Sequence, residues 1–135
     1  MTAAAITIRI GDCREVLAGM EAESVHCCVT SPPFFGLRDY GVDGQIGLEA
    51  SPDDWCRELV GVFREVRRVL RPDGVLWVEV GDSYCADGRK GRAHMGIGKN
   101  SAYNTWSNRI GEGLKQKDLI GQPWLLAFAL RADGW

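Results

Sequence analysis

No stretch of this sequence approaches the roughly 18 consecutive apolar residues that a membrane-spanning helix requires. Met1 to Ile10 holds no basic cluster followed by an apolar run, so an export signal is not indicated either. The five cysteines, Cys13, Cys27, Cys28, Cys56 and Cys85, are odd in number and contain no C-x-x-C pair. That pattern argues against both a disulfide framework and a zinc site, and reduced thiols in a cytoplasm are the expectation. A surplus of charge is missing as well: the formal net charge is −2, which excludes a uniformly basic surface and leaves any nucleic-acid contact to a local patch. No internal repeat is visible. What remains is 135 residues, 45% hydrophobic and 25% charged, enough for the core of one globular domain.

Ile6-Thr7-Ile8-Arg9-Ile10 alternates with period two and predicts a strand, broken by Gly11-Asp12. Asp12 followed by Glu15 is a capping-box pattern that predicts a short helix from Cys13 to Met20. Val25 to Thr30 is β-branched and apolar, a second strand halted at Pro32-Pro33, because proline supplies no ladder donor. Strand, helix and strand in this order suggest a βαβ unit with parallel strands. Ser51-Pro52-Asp53-Asp54 is a helix start, with a capping hydroxyl, proline at the first helical position and two carboxylates toward the positive end of the dipole. Trp55, Leu59, Val62, Phe63, Val66 and Leu70 follow at helical spacing as one buried face. Arg71-Pro72-Asp73-Gly74 ends that helix, Val75 to Val80 is a third strand stopped by Gly81-Asp82, and a last helix starts at Pro123. Residues from about 83 to 113 keep no period, are rich in glycine and carry interspersed basic side chains, so a mobile basic loop is expected there.

In an open parallel sheet, ligands bind beyond the carboxyl ends of the strands. Each predicted strand ends there in a polar turn, Gly11-Asp12, Thr30-Ser31-Pro32-Pro33-Phe34 and Gly81-Asp82-Ser83-Tyr84. If the strands are parallel neighbours, the three turns converge on one rim. The second turn has a chemical logic. An exocyclic base amine is conjugated into its ring and becomes nucleophilic only when two acceptors engage its hydrogens. A serine hydroxyl and the carbonyl of the following proline supply such a pair. The prolines hold that carbonyl rigidly, and Phe34 could stack on a base extruded from the duplex. Attack on a sulfonium methyl is then direct, and catalysis is mostly positioning.

These residues resemble the amino-methylating DNA methyltransferases of the permuted order, in which the catalytic loop precedes the main cofactor loop. The resemblance rests on Gly11-Asp12-Cys13-Arg14-Glu15-Val16-Leu17, Thr30-Ser31-Pro32-Pro33-Phe34, Leu37-Arg38-Asp39-Tyr40-Gly41 and Gln45-Ile46-Gly47-Leu48-Glu49. It continues through Arg68 to Gly74, Gly81-Asp82-Ser83-Tyr84, and Lys117 to Gly121 with Pro123-Trp124. It implies an α/β fold, a partial three-layer α/β/α Rossmann-like methyltransferase domain with a mainly parallel sheet, and S-adenosyl-L-methionine as cofactor. By the same resemblance Ser31, Pro32, Pro33 and Phe34 hold the target base. Asp12 accepts from the cofactor adenine, with Ser31 and Pro32 bordering the cofactor. Phe35, Arg38, Arg89, Lys90 and Arg92 are the candidates for contact with double-stranded DNA. A serine at the head of the loop is more typical of N4-cytosine enzymes than of N6-adenine ones, so cytosine is favoured. The family's Phe-x-Gly-x-Gly cofactor loop and target-recognition region are not found here. The chain is therefore expected to be a partial catalytic domain, inactive alone; the resemblance is to phage and bacterial members, with restriction-modification and phage protection both open as its role.

Simpler readings stand beside these. Asp12 serves equally as a helix cap, and capping uses one oxygen only. Asp82 and Tyr84 read as structural. Trp55, Phe63 and Trp77 read as core, Cys27 and Cys28 as inert buried thiols, and His26 as a strand-face residue. Arg89, Lys90 and Arg92 read first as solvated charges, with phosphate contact as the minority role. Gly96-Ile97-Gly98-Lys99-Asn100 fails the spacing of a nucleotide loop.

Overall fold

A computed structural model of the chain describes residues 5–85 and 113–135. The elements run α1 (Cys13–Ala18), β1 (Val25–Thr30), α2 (Pro52–Val69), β2 (Leu70–Val78) and α3 (Gln122–Ala132). β1 and β2 pair in parallel with α2 as the crossover between them, so the βαβ unit is this one and not the one expected from Ile6 to Thr30, and its second strand begins at Leu70 rather than Val75.

Each helix is set by residues at its ends. Asp12 caps α1, its carboxylate accepting from the Arg14 amide at 2.8 Å. The far end of α1 is stapled to α2 by Arg68, whose guanidinium donates to the carbonyls of Leu17 at 2.8 Å and Met20 at 3.0 Å. Ser51 caps α2, accepting from the Asp54 amide at 3.1 Å. α3 has no side-chain cap of its own, since Gly121 sits at its start with φ +83°. Asp82, just past β2, takes over that role and accepts from the amides of Gly121 at 3.0 Å and Gln122 at 3.1 Å. Asp82 is thus structural, as read from the sequence.

The stripe Trp55, Leu59, Phe63 and Val66 on α2 is buried and meets Leu126 and Leu130 of α3. Cys28, Leu76 and Val78 of the sheet pack against this cluster, so α2 and α3 lie on one face. Each large side chain buried here contributes roughly 1.5–3 kcal/mol relative to exposure.

The register steps from Val25↔Leu70 to Cys27↔Val75, which leaves Arg71 to Gly74 looped out of the ladder. Gly74 is needed at that step, because a Cβ there would lie 3.0 Å from the Arg71 carbonyl oxygen and 3.2 Å from that of His26. Pro72 lacks the donor that a regular ladder would require. The start of the segment expected to be a loose loop is also ordered: Tyr84 bridges Leu119 in antiparallel fashion, and Cys85 donates to the Asp118 carbonyl at 2.8 Å.

Three expectations are corrected. Ile6 to Ile10 forms no strand, and its isoleucines stand 82% exposed or more. Alternation marks a face to be buried but does not supply the neighbour that pairs with it, and a lone strand is not stable. Trp77 is 66% exposed rather than core, because it lies on the sheet face opposite α2 and α3. Cys27, its neighbour on that face, is likewise exposed, whereas Cys28 points the other way, and burial pushes its thiol upward in pKa. Among the described residues no helix is long and apolar enough to cross a membrane.

Candidate active site

β1 delivers Ser31 at its carboxyl end, and the turn that follows is held from three directions. The Trp55 indole Nε1 of α2 donates to the Pro33 carbonyl at 2.8 Å. Gln122, 1% exposed at the start of α3, accepts from the Phe35 amide at 2.9 Å and donates to Ser83 Oγ at 2.9 Å. The Phe34 ring lies against Gly81, where a Cβ would come within 2.9 Å of Phe34 Cε2. Of the three polar turns expected on one rim, the second and third therefore meet.

The next segment folds back over the turn. Gly36 donates to the Gly47 carbonyl at 2.8 Å. Gln45 clamps the loop, accepting from the Tyr40 amide at 2.6 Å and donating to the Arg38 carbonyl at 2.9 Å. Gly47 has φ +105°, and a Cβ there would lie 3.0 Å from the Phe34 carbonyl oxygen, so both conformation and space call for glycine.

Between the turn and this loop lies an open cleft of about 320 Å³, bounded by Ser31 to Phe34, Leu37, Arg38, Tyr40 and Glu79. Its size is that of one small planar ligand. Within it Ser31 Oγ donates to Glu79 Oε2 at 2.6 Å.

Asp12 is not part of the cleft lining. Its two carboxylate oxygens accept from Arg14 Nε at 2.9 Å and Nη2 at 2.6 Å, and Arg14 also reaches the Gly44 carbonyl at 3.2 Å. Those bonds hold the Asp12 carboxyl down at about 2. It is an exposed, ionised acceptor at every ordinary pH, tied through Arg14 to the loop after the Ser-Pro-Pro-Phe turn.

Of the residues expected to form the site, the structure brings Ser31, Pro32, Pro33, Phe34 and Arg38 into one cleft. Phe35 is corrected: it is 5% exposed and sits in the hydrophobic core, so it is not presented to DNA. Its neighbour Phe34 takes the cleft side, since consecutive residues of an extended turn face opposite ways. Arg89, Lys90 and Arg92 lie outside the described residues. Glu79, Trp55 and Gln122 were not expected at the site. The signal for Glu79 was present as a lone carboxylate near the carboxyl end of an apolar strand. Trp55 and Gln122 act through contacts distant in sequence that no local pattern encodes. Among the described residues no group of three His, Cys, Asp or Glu side chains is arranged to hold a metal.

Comparison with known proteins places this arrangement. A family model described as DNA methylase, of the N6/N4 group, matches residues 25–124. The type II methyltransferase M.SmaI of Serratia marcescens is 51% identical over 128 residues, which cover 95% of this chain and 44% of the relative. M.Cfr9I of Citrobacter freundii is 50% identical over 131 residues, covering 96% of this chain and 43% of the relative. The fold superposes with a TM-score of 0.58 and 28% identity on a putative DNA modification methylase from Thermus thermophilus, solved with S-adenosyl-L-methionine, covering 93% of this chain and 39% of that one. The chain thus spans less than half the length of these relatives. With a parallel α/β core, a Ser-Pro-Pro-Phe turn at a strand end and these matches along most of its length, the chain belongs to the N6/N4 DNA methylase family.

Proposed function

We propose that this chain forms the base-presenting part of an S-adenosyl-L-methionine-dependent DNA methyltransferase that acts on the exocyclic amine of cytosine in double-stranded DNA. The observation that carries the reading is the cleft in which Ser31, Pro32, Pro33 and Phe34 share one wall. Ser31 Oγ and the Pro32 carbonyl accept the two amine hydrogens and draw the nitrogen toward tetrahedral geometry. Phe34 offers its ring to the flipped base, and the prolines hold the acceptors in place before the base arrives. Asp12 suits an acceptor for the cofactor's adenine amine. Its charge is secured by Arg14, and Oδ2, which accepts from Nη2 alone, keeps a further lone pair, whereas Oδ1 already accepts from both the Arg14 amide and Nε. The cofactor supplies an electrophilic methyl group. Arg38 on the cleft rim, with Arg89, Lys90 and Arg92, would contact backbone phosphates.

The serine at the head of the turn favours cytosine N4 over adenine N6. Incubation of the chain joined to the remaining portion of the Serratia relative with tritiated S-adenosyl-L-methionine and duplex DNA, followed by nucleoside digestion, should yield 4-methylcytosine; 6-methyladenine as the labelled product would overturn the base assignment. A second reading is a catalytically silent DNA-binding or assembly module. Calorimetry with S-adenosyl-L-methionine separates the two, applied to the chain alone and to the chain joined to the remaining portion of the Serratia relative. Heat from the joined protein supports the enzyme, and silence from both supports the module.

A further inference from the structure

Residues 36–47 leave the Ser-Pro-Pro-Phe turn and come back to it, with the neck closed by the bond from Gly36 to the Gly47 carbonyl. At the far end Gln45 N donates to the Val42 carbonyl at 3.3 Å, in a turn that carries Gly44 at φ +73°. The Gln45 side chain spans Asp39, accepting from Tyr40 N and donating to the Arg38 carbonyl, so the turn is held to the two residues of this loop that line the cleft beside Leu37. Arg14 reaches the same turn from α1. Its Nη2 has two hydrogens, of which one goes to Asp12 Oδ2 at 2.6 Å and the other to the Gly44 carbonyl at 3.2 Å. One planar nitrogen therefore sets the carboxylate and the loop relative to each other.

We infer that Arg14 is a positioning residue that couples the cofactor end of the site to its base end: Asp12, once it accepts from the adenine amine, steadies Arg14, and Arg14 through Gly44 and Gln45 sets the wall of Arg38 and Tyr40 before a base enters. This rests on the reading of Asp12 given above. Charge alone does not account for the arrangement. Arg14 and Asp12 are 44% and 38% exposed, and an ion pair in that setting adds little to stability. Geometry does account for it, because the guanidinium fork meets both oxygens of Asp12 and still has a hydrogen for the loop. Lysine keeps the charge and loses the fork. With Asp12 and Arg14 stilled, part of the wall is ordered in advance, and the two ends of the site cooperate. Coupling between two sites commonly amounts to about 5–150-fold, and a single exposed tie belongs at the low end of that range.

Two measurements test this. On the full chain, amide hydrogen exchange at Tyr40 and Gln45 should quicken by about tenfold in Arg14→Ala and in Asp12→Asn, with Trp55 in α2 unchanged. Parental exchange at both amides overturns the tie. The second uses the chain joined to the remaining portion of the Serratia relative, with S-adenosyl-L-homocysteine, the product of methyl transfer, at saturating concentration. The product should slow exchange at Tyr40 and Gln45 by about fivefold in the parent and leave it unchanged in Arg14→Lys, which retains the positive charge. A merely structural Arg14 would change the starting rates and leave that ratio alone. Equal protection in the two proteins, or no protection in a parent that binds the product, overturns the coupling. If the joined parent gives no binding heat, the reading of Asp12 fails and the coupling with it, whereas exchange in the chain alone reports separately on the tie between Arg14 and the loop.

Discussion

The two faces of the β1–β2 sheet carry similar side chains and have opposite surroundings. Cys28, Leu76 and Val78 lie beneath α2 and α3, whereas Cys27, Val29, Val75 and Trp77 face outward. Trp55 is 0% exposed and Trp77 is 66% exposed, yet both are the same large aromatic. Residue type alone therefore does not decide burial. What covers the face does, and in the described residues the helices cover one side. The contrast bears on the site as well, since Ser31 and Glu79 continue the outward-facing rows.

The largest expected effect comes from the covered side. Trp55→Ala should destabilise the fold by about 3–5 kcal/mol in urea denaturation, because it empties a packed core position. It also removes the indole donor to Pro33, so the cleft should loosen together with the core. Gln122→Ala leaves the buried Phe35 amide without its partner and should cost about 1–3 kcal/mol by the same measurement. Trp77→Ala should change stability by about 0.5 kcal/mol or less. A loss at Trp77 as large as that at Trp55 would erase the distinction between the faces.

Chemistry sharpens the comparison further. Under brief alkylation at mildly alkaline pH, peptide mapping should find Cys27 and Cys13 modified. Cys56 should be spared, because burial pushes its thiol up to about 11. The smallest effect is at the edge of the molecule. Hydrogen bonds from Arg14 hold Asp12 at about 2 against an ordinary 3.8, so its contribution to α1 is present above 3.8 and is lost as pH falls through about 2. An Asp12 carboxyl carbon titrating near 3.8 in solution would show that Arg14 does not hold it.

Local patterns made much of this legible. Val25–Thr30 matches its expected bounds, because β-branched residues followed by a proline pair leave little alternative. α2 was announced by its capping serine and N-terminal proline, and its buried stripe by helical spacing. Ser31 to Phe34 was found because its chemistry is compressed into consecutive residues. Ile6 to Ile10, Trp77 and Cys27 were misread because burial depends on neighbours that a strand pattern does not name. Phe34 and Phe35 show the same limit within the site: two identical side chains, one lining the cleft and one in the core. Glu79 escaped notice because its partner is 48 residues away.

The contact between Phe34 and Gly81 has a thermodynamic consequence. An aromatic ring set against bare backbone gives up its rotamers when the chain folds, not when a guest arrives. A flat molecule stacking on it would spend little entropy in stilling the surface beneath, which is how a shallow, open recess can still grip.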